Sequence, residues 1–194
     1  MQGEQTTTSV DVITGQCWYT GEVTTRGFRV ADVLNDATVD TLTMRDTVTG
    51  LIGNGSASVR WNLLYLRKSG IFMVIPKGTH EAPIRRANNY VAKDRFGAMI
   101  ALPGHLLSGI VHLPSRSTPL TLLEEGSTLS PFLALTEVTV HSSTHNLAAS
   151  RLGVVLVQRR AIESVQLTAQ RLPKREAAAA PAEEQPLRDI AAKW

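Results

Sequence analysis

The chain has 194 residues, enough for one medium domain or two small ones. Hydrophobic residues make up 43% of it and aromatic residues only 5%, so Val, Leu and Ile must fill most of the core. The net charge of +3 is too small to indicate nucleic-acid binding by itself, and no uncharged apolar run approaches the ~20 residues that cross a bilayer.

The first half of the chain predicts five short strands and one helical turn. Two β-prone runs, VDVIT and CWYTGEV, flank a Gly15-Gln16 break and are typical of a hairpin. Gly21, in the middle of the second run, indicates a sharp bend or a close backbone approach. FRVADVLND then predicts a short helical turn, and DTLTMRDTVT predicts an alternating strand. VRWNLLYLRKSGIFMVIP predicts two strands around a dibasic corner, Arg67-Lys68.

The second half repeats these segments in the same order. AMIALPGHLLSGIVHL, STPLTLLEE, PFLALTEVTV and RLGVVLVQRRAIESVQL follow one another, and the last contains a second dibasic corner, Arg159-Arg160. Gly21 aligns with Gly109, an offset of 88 residues, and Asp46 aligns with Thr136, an offset of 90. Four segments in one order indicate a diverged duplication.

The predicted organisation is mainly β, with two small five-stranded barrels at residues 9–78 and 97–170. A polar, basic linker at 79–96 joins them, and a Pro/Ala/Glu-rich segment at 171–194 forms a tail. Each unit has roughly 70 residues, barely enough for a core of its own, so we expect the two to pack together as a pseudo-twofold pair. The end of the tail places Leu187, Ile190 and Trp194 on one face of a short helix, which could dock on a partner.

These features resemble the Sm-like (LSm/Hfq-type) small β-barrel. YLRKSGIFMVIP is similar to the second Sm motif, YTGEV lies where the first motif has its strand-two glycine, and VADVLND is similar to the leucine-rich turn of a bacterial Sm-like domain of unknown function. The resemblance covers about residues 9–76 and 97–168. It implies tandem Sm-like barrels that assemble by pairing the strands on either side of the corner.

The chain departs from RNA-binding Sm proteins at one motif. Those proteins carry an Asp and an Asn soon after the strand-two glycine, where this chain has Thr24-Thr25-Arg26-Gly27. In addition, the first corner has an extra residue before Gly70, and the second corner has no glycine. The resemblance therefore does not itself imply RNA binding.

Single-stranded RNA is nevertheless the alternative partner that the basic residues suggest. Phosphate contacts from the corners and the linker, with Tyr90 or Trp61 as stacking surfaces, would suit single-stranded nucleic acid. The candidate cations are Arg67, Lys68, Arg85, Arg86, Lys93, Arg95, Arg159 and Arg160. The competing explanation is that charged corners and a charged linker keep the protein in solution.

No motif predicts catalysis, a cofactor or a metal site. His141 and His145 are four residues apart but lie in a predicted loop, and GLIGNGSAS lacks the lysine of a phosphate-binding loop. Cys17 is the single cysteine, so no intramolecular disulfide can form. Because no secretory signal is visible either, we expect a cytoplasmic protein without membrane contact. The first interpretation is a non-enzymatic interaction or assembly module that binds a protein partner, or itself, through exposed strand edges.

Overall fold

A computed structural model of the chain describes residues 6–52, 58–78, 93–114, 118–124, 129–142 and 150–172. The protein is mainly β, as predicted, with ten strands and two short helices in these ranges. The strands are β1 (Thr7–Thr14), β2 (Cys17–Thr24), β3 (Thr41–Leu51), β4 (Ser58–Arg67), β5 (Ile71–Pro76), β6 (Lys93–Leu102), β7 (His105–Pro114), β8 (Phe132–Ser142), β9 (Ser150–Gln158) and β10 (Ser164–Leu172). Helix α1 (Val30–Asn35) precedes β3, and α2 (Pro119–Leu123) precedes β8.

Local sequence accounts for the turns and helix starts. Gly104, at a φ of 73°, turns the chain between β6 and β7, in a conformation that side chains rarely adopt. Pro119 occupies the first turn of α2, where a missing backbone N–H costs nothing. Single 3-10 turns form two corners: the first corner (Lys68–Gly70) joins β4 to β5, and the second corner (Arg159–Ala161) joins β9 to β10.

All ten strands belong to one open antiparallel sheet, in the order β10-β6-β7-β8-β9-β5-β1-β2-β3-β4. The sequence predicted two barrels, and the structure does not show them as closed units. The reason is that β5 has β1 on one side and β9 on the other, so neither of its edges is left to close the first half on β4. Strands β4 and β10 are the two outer strands of the sheet.

The two halves share one strand order, β5-β1-β2-β3-β4 in the first and β10-β6-β7-β8-β9 in the second. The offset between them is 88 residues at Gly21 and Gly109, which face Val10 and Ala98 in the neighbouring strands. From β3 onward, however, the offset is 91, because Thr41 pairs with Arg67 as Phe132 pairs with Gln158. The predicted offset of 90 was wrong by one residue there.

A backbone bulge fixes this corrected alignment and explains the strand glycines. Asp46 and Glu137, which are 91 residues apart, have φ values of 46° and 55°. Opposite these bulges, a Cβ on Gly21 would lie 2.8 Å from the Arg45 carbonyl oxygen, and one on Gly109 would lie 3.1 Å from the Thr136 carbonyl oxygen. The prediction that a mid-strand glycine marks close backbone approach is confirmed at both positions.

Two apolar cores lie on opposite faces of the sheet. The first core comprises Val10, Val12, Val23, Val30, Leu34, Leu42, Met44, Leu66, Ile71, Val74, Phe132 and Leu156. The second core comprises Ile13, Met73, Ile75, Ala98, Ile100, Leu102, Leu107, Val111, Leu113, Leu122, Leu133, Leu135, Val138, Val140, Val155, Val157, Ala161 and Ile162. Each half therefore folds around its own core, and a few residues of the other half complete it.

Strands β5 and β9 join the halves. Met73 pairs with Val157, and Val74 pairs with Leu156. Because alternate side chains point to opposite faces, Val74 and Leu156 enter the first core while Met73 and Val157 enter the second. Burial on both faces explains why Met73–Ile75 and Val155–Val157 are uninterrupted apolar segments.

This junction is head to tail, and it corrects the expected pseudo-twofold packing. Strand β9 has the place in the second half that β4 has in the first, so β5 and β9 are not equivalent strands. A twofold axis would pair β4 with β10 in the same way, whereas these strands lie at opposite ends of the sheet.

Two boundaries also differ from the predicted ones, because pairing extends the strands. Strand β6 begins at Lys93, inside the predicted linker, where it pairs with Pro114. Strand β10 ends at Leu172, inside the predicted tail, where it pairs with Arg95. The rest of the linker and the tail, including Leu187, Ile190 and Trp194, lies outside the described residues.

The bulge generates a stability prediction. Gly21→Ala should lower the free energy of unfolding by about 1–3 kcal/mol, because the new methyl group meets backbone that cannot easily move. Gly153→Ala in β9 is the matched control, since a Cβ there has no atom within 4 Å, and it should change stability by less than about 0.5 kcal/mol. Urea denaturation measures both, and equal effects would contradict the close approach at Gly21.

Candidate interaction edges and the basic corners

The outer face of β4 carries a row of exposed apolar side chains. Val59, Trp61, Leu63 and Tyr65 alternate along the strand and are 50%, 43%, 46% and 63% exposed. Alternate residues of a strand share a face, so these four form one patch, which we call the β4 patch. Leu66, the next residue after Tyr65, points into the first core. An apolar row on an unpaired edge is typical of an interaction surface.

In β9, one residue of the equivalent row is covered by the neighbouring strand. At the offset of 91, Tyr65 corresponds to Leu156, which is only 2% exposed because β5 and the first core cover it. Arg67, which is exposed, corresponds to Gln158, which is buried and donates its Nε2 hydrogen to the Lys68 carbonyl oxygen at 2.8 Å. The same strand position is therefore buried at the junction and open at the end of the sheet.

Strand β10 forms the opposite outer edge and is more polar. Ser164, Gln166 and Thr168 are exposed, while Val165 and Leu167 pack in part against the second core. At the corresponding positions, β5 has the buried Met73 and Ile75 in place of Ser164 and Gln166. One face of β10 therefore packs against the second core, and the other face is polar and exposed to solvent.

Two of the candidate RNA-binding cations bind the backbone of their own chain. Lys68 is 7% exposed, and its Nζ donates to the carbonyl oxygens of Val33 (2.8 Å) and Asp36 (2.9 Å), at the end of α1. Burial lowers the pKa of Lys68, and the nearby carboxylates of Asp36 and Asp40 oppose that shift. The turn after α1 is thus held to the first corner.

Arg159 has the same place in the second corner. Its guanidinium donates to the carbonyl oxygens of Leu129 (2.9 Å) and Glu124 (2.6 Å), which follow α2. The structural counterpart of Lys68 is therefore Arg159, and the two dibasic pairs are out of step by one residue. A cation at the start of each corner is a folding element, since it satisfies carbonyl groups at a helix end.

Of the remaining candidate cations that the structure describes, Lys93 lies far from the second corner, whereas Arg67 and Arg160 flank the junction where Gln158 bonds to Lys68. Arg67 and Arg160 are exposed at the corners, Lys93 is exposed at the start of β6, and Arg95 donates to Glu137 at 3.3 Å. The corner beside Ser164 adjoins Ala101, eight residues along β6 from Lys93, which is roughly 26 Å at the rise of a strand. Arg85, Arg86 and Tyr90 lie outside the described residues. RNA binding stays a prediction.

A groove of about 660 Å³ lies where the halves meet, between the turn after α1 and the second corner. The polar side chains of Asn35 and Gln158, which line this groove, form hydrogen bonds with other residues of the chain. The Asn35 side chain accepts from the Phe132 N–H at 2.8 Å and donates to the Phe132 carbonyl oxygen at 3.1 Å. Gln158 bonds to the first corner, as described above. These contacts fasten one half to the other.

The described ranges give no sign of a metal centre or of a membrane span. Among those residues, no three His, Cys, Asp or Glu side chains come close enough to hold a metal ion. None of the helices in the same ranges combines the length and the apolar character needed to cross a bilayer. His141, considered above as a ligand, is an exposed residue of β8.

Comparisons with protein-family models, with curated proteins and with solved structures find no match for this chain. Inferences about function therefore depend on the side chains that the outer strands β4 and β10 expose. Sequence reasoning treated Trp61 only as a stacking surface and missed the patch to which it belongs. The alternation in VRWNLLYLR was the available signal, but alternation does not reveal which face is covered.

The position of Lys68 predicts a large difference between neighbouring cations. Lys68→Met should lower the free energy of unfolding by about 1–3 kcal/mol, because it leaves two partly buried carbonyl groups without a donor. Arg67→Met, the exposed neighbour, should cost less than about 0.5 kcal/mol. Thermal or urea denaturation measures both; if Lys68→Met is no more harmful than Arg67→Met, Lys68 has no structural role.

Proposed function

We propose that the chain is a non-enzymatic assembly module, built from two copies of an Sm-like five-stranded unit, that binds a protein partner by strand addition at its outer edges. One observation carries the proposal: the β4 patch is exposed on an outer strand, whereas Leu156, the counterpart of Tyr65 in β9, is buried. The Sm-like part rests on the strand order of each half, the tight corner after the fourth strand and the strand-two glycine.

Strand addition suits this edge for two physical reasons. An outer strand has backbone N–H and C=O groups on one side that can pair with another strand. Such pairing supplies main-chain hydrogen bonds, while side chains on alternate positions give specificity. The β4 patch would add the burial of Trp61, Leu63 and Tyr65, and apolar burial stabilises by about 25 cal/mol for each Å². The function needs no catalytic group.

Single-stranded RNA has weaker support as the partner. Lys68 and Arg159 donate to backbone carbonyls, and Lys93 lies far from the exposed Arg160 of the second corner. Protein binding at β4 does not require a continuous basic groove. The two partners also differ in their response to nuclease and salt, since phosphate contacts weaken strongly as salt rises.

The β4 patch generates a binding prediction. A tagged full-length chain should retain a protein in fixed stoichiometry from nuclease-treated lysate of its native source, whether that protein is another copy of the chain or a different one. Tyr65→Lys should abolish retention, because a charge replaces an apolar contact. Phe28→Lys is the matched control, since Phe28 is 59% exposed but lies in the loop before α1 and not on either outer strand.

Retention should persist in the Phe28→Lys variant and should not depend on added nuclease. If the wild-type chain and Tyr65→Lys retain the same proteins in equal amounts, the β4 edge is not the binding surface. If retention disappears with nuclease treatment and with rising salt, the partner is nucleic acid and the proposal is wrong.

A further inference from the structure

We propose that strands β6 and β7 carry a binding site for a phosphate dianion, formed by Lys93, Arg95 and His112. The site lies in the second half of the chain, on the face of the sheet that points away from the second core, and it does not depend on the β4 edge. The dianion is inorganic phosphate or the terminal group of a phosphate monoester. The strand register, a comparison with the first half and a competing carboxylate support the site.

The register of the β6–β7 hairpin places the three side chains together. Arg95 lies directly opposite His112, and Lys93 lies two residues before Arg95 on the same strand. Opposed residues and alternate residues of one strand share a face, so neighbouring Cα atoms of this set lie about 5–7 Å apart. The next opposed pair, Phe96 and Val111, packs in the second core. The three basic side chains therefore project from the other face.

The first half of the chain has no basic pair at the equivalent positions. At the offset of 88 residues that applies to these strands, Arg95 corresponds to Thr7 and His112 corresponds to Thr24. Thr7 and Thr24 also lie directly opposite each other. The first half thus forms the same strand pairing with two threonines, so the fold does not require an arginine and a histidine here.

Without an anion, the basic pair is electrostatically unfavourable. Arg95 is always charged, its side chain is only 18% exposed, and like charges directly opposite each other destabilise a sheet. Burial lowers the pKa of His112, and the positive charges of Arg95 and Lys93 lower it further, whereas the Glu137 carboxylate raises it. An anion between these groups would remove the repulsion. Repulsion that the fold does not need, retained in one half, is typical of a ligand site.

Contacts from β8 orient the donors and leave a carboxylate at the edge of the site. His112 Nε2 lies 3.0 Å from Thr136 Oγ1, which fixes the ring and leaves Nδ1 to donate to an anion once the ring is protonated. Arg95 Nη2 donates to Glu137 Oε1 at 3.3 Å. Glu137 lies at the backbone bulge, and its side chain is 55% exposed. An incoming dianion would displace this exposed carboxylate from Arg95.

The charges of the cluster match a dianion. Lys93, Arg95 and protonated His112 each carry one positive charge, and Glu137 carries one negative charge, which leaves a net charge of +2. A phosphate monoester carries about −1.5 to −2 at pH 7, whereas a phosphodiester carries a single negative charge. Binding of the dianion favours protonated His112, so affinity should rise as the pH falls through the pKa of that residue.

Isothermal titration calorimetry of the purified full-length chain, at low and constant ionic strength, tests the ligand class. Inorganic phosphate and glycerol 3-phosphate should each bind saturably, and the tighter of the two identifies the source of the dianion. Dimethyl phosphate, a monoanionic diester, should bind at least about tenfold more weakly. Equal binding of the diester, or saturable binding of neither dianion, would overturn the site.

Replacing the basic pair with the pair of the first half tests the residues. Arg95→Thr/His112→Thr should abolish phosphate binding, and in chloride it should melt no lower than the wild-type chain, because a repulsive pair is removed. Phosphate at matched ionic strength should raise the melting temperature of the wild-type chain only. Arg60→Thr, at an exposed position of β4, is the matched control and should keep the phosphate shift. A phosphate shift that survives in the double variant would contradict the assignment.

Glu137→Gln distinguishes a ligand site from a cluster that serves only the fold. Without the competing carboxylate, phosphate affinity should rise by at least about twofold, the size of effect expected for an exposed ion pair. Unchanged or weaker binding would show that Glu137 does not compete with the dianion and would overturn the proposed geometry.

Sulfate tests the role of His112, because sulfate stays a dianion throughout the range in which an imidazole titrates. Sulfate affinity of the wild-type chain should rise as the pH falls from about 8 to about 5, and His112→Thr should lose this dependence. Saturating sulfate should also raise the pKa of His112 measured by NMR. A sulfate affinity that is independent of pH in the wild-type chain would exclude His112 from the site and overturn the match to a dianion.

Discussion

The backbone pairing of β5 with β9 is the constraint on which the rest of the structure depends. It places each of these strands between two cores, so Val74 and Leu156 face one core while Met73 and Val157 face the other. Because the paired segments are buried on both faces, they must be apolar. Because the pairing occupies the free edge of β5, it also keeps the sheet open and leaves β4 and β10 at its ends.

The same constraint separates the residues that serve folding from those available for binding. Lys68 and Arg159 hold the turns after the helices, and Gln158 and Asn35 fasten the junction, although all four are polar residues that a sequence could assign to ligand binding. The residues left exposed at the ends of the sheet are apolar on β4 and mixed on β10. The sheet thus ends in β4 and β10, the strands equivalent to the two that the junction joins.

Local signals in the sequence predicted the local structure well. Alternating runs marked the strands, and the close approach of Gly21 and Gly109 to the backbone was predicted from their mid-strand positions. The open sheet was not predictable in this way, because neither RLGVVLVQ nor VRWNLLYLR shows in its own pattern that the first strand is central and the second is at the end of the sheet. The structural role of Lys68 was not predictable either, because the carbonyl groups to which it donates belong to residues more than 30 positions earlier in the chain. The offset error arose because the alignment is fixed by strand pairing and by the backbone bulge at Asp46 and Glu137, which the sequence does not reveal.

Amide hydrogen exchange in dilute solution, followed by mass spectrometry, tests the central claim most directly, because strand pairing protects backbone N–H groups. Peptides from β5 and β9 should exchange slowly, since their pairing lies within one chain. Peptides from β4 and β10 should exchange faster, since these are the outer strands of the sheet. Exchange in β9 as fast as in β4 would contradict the junction and the arrangement of edges that follows from it.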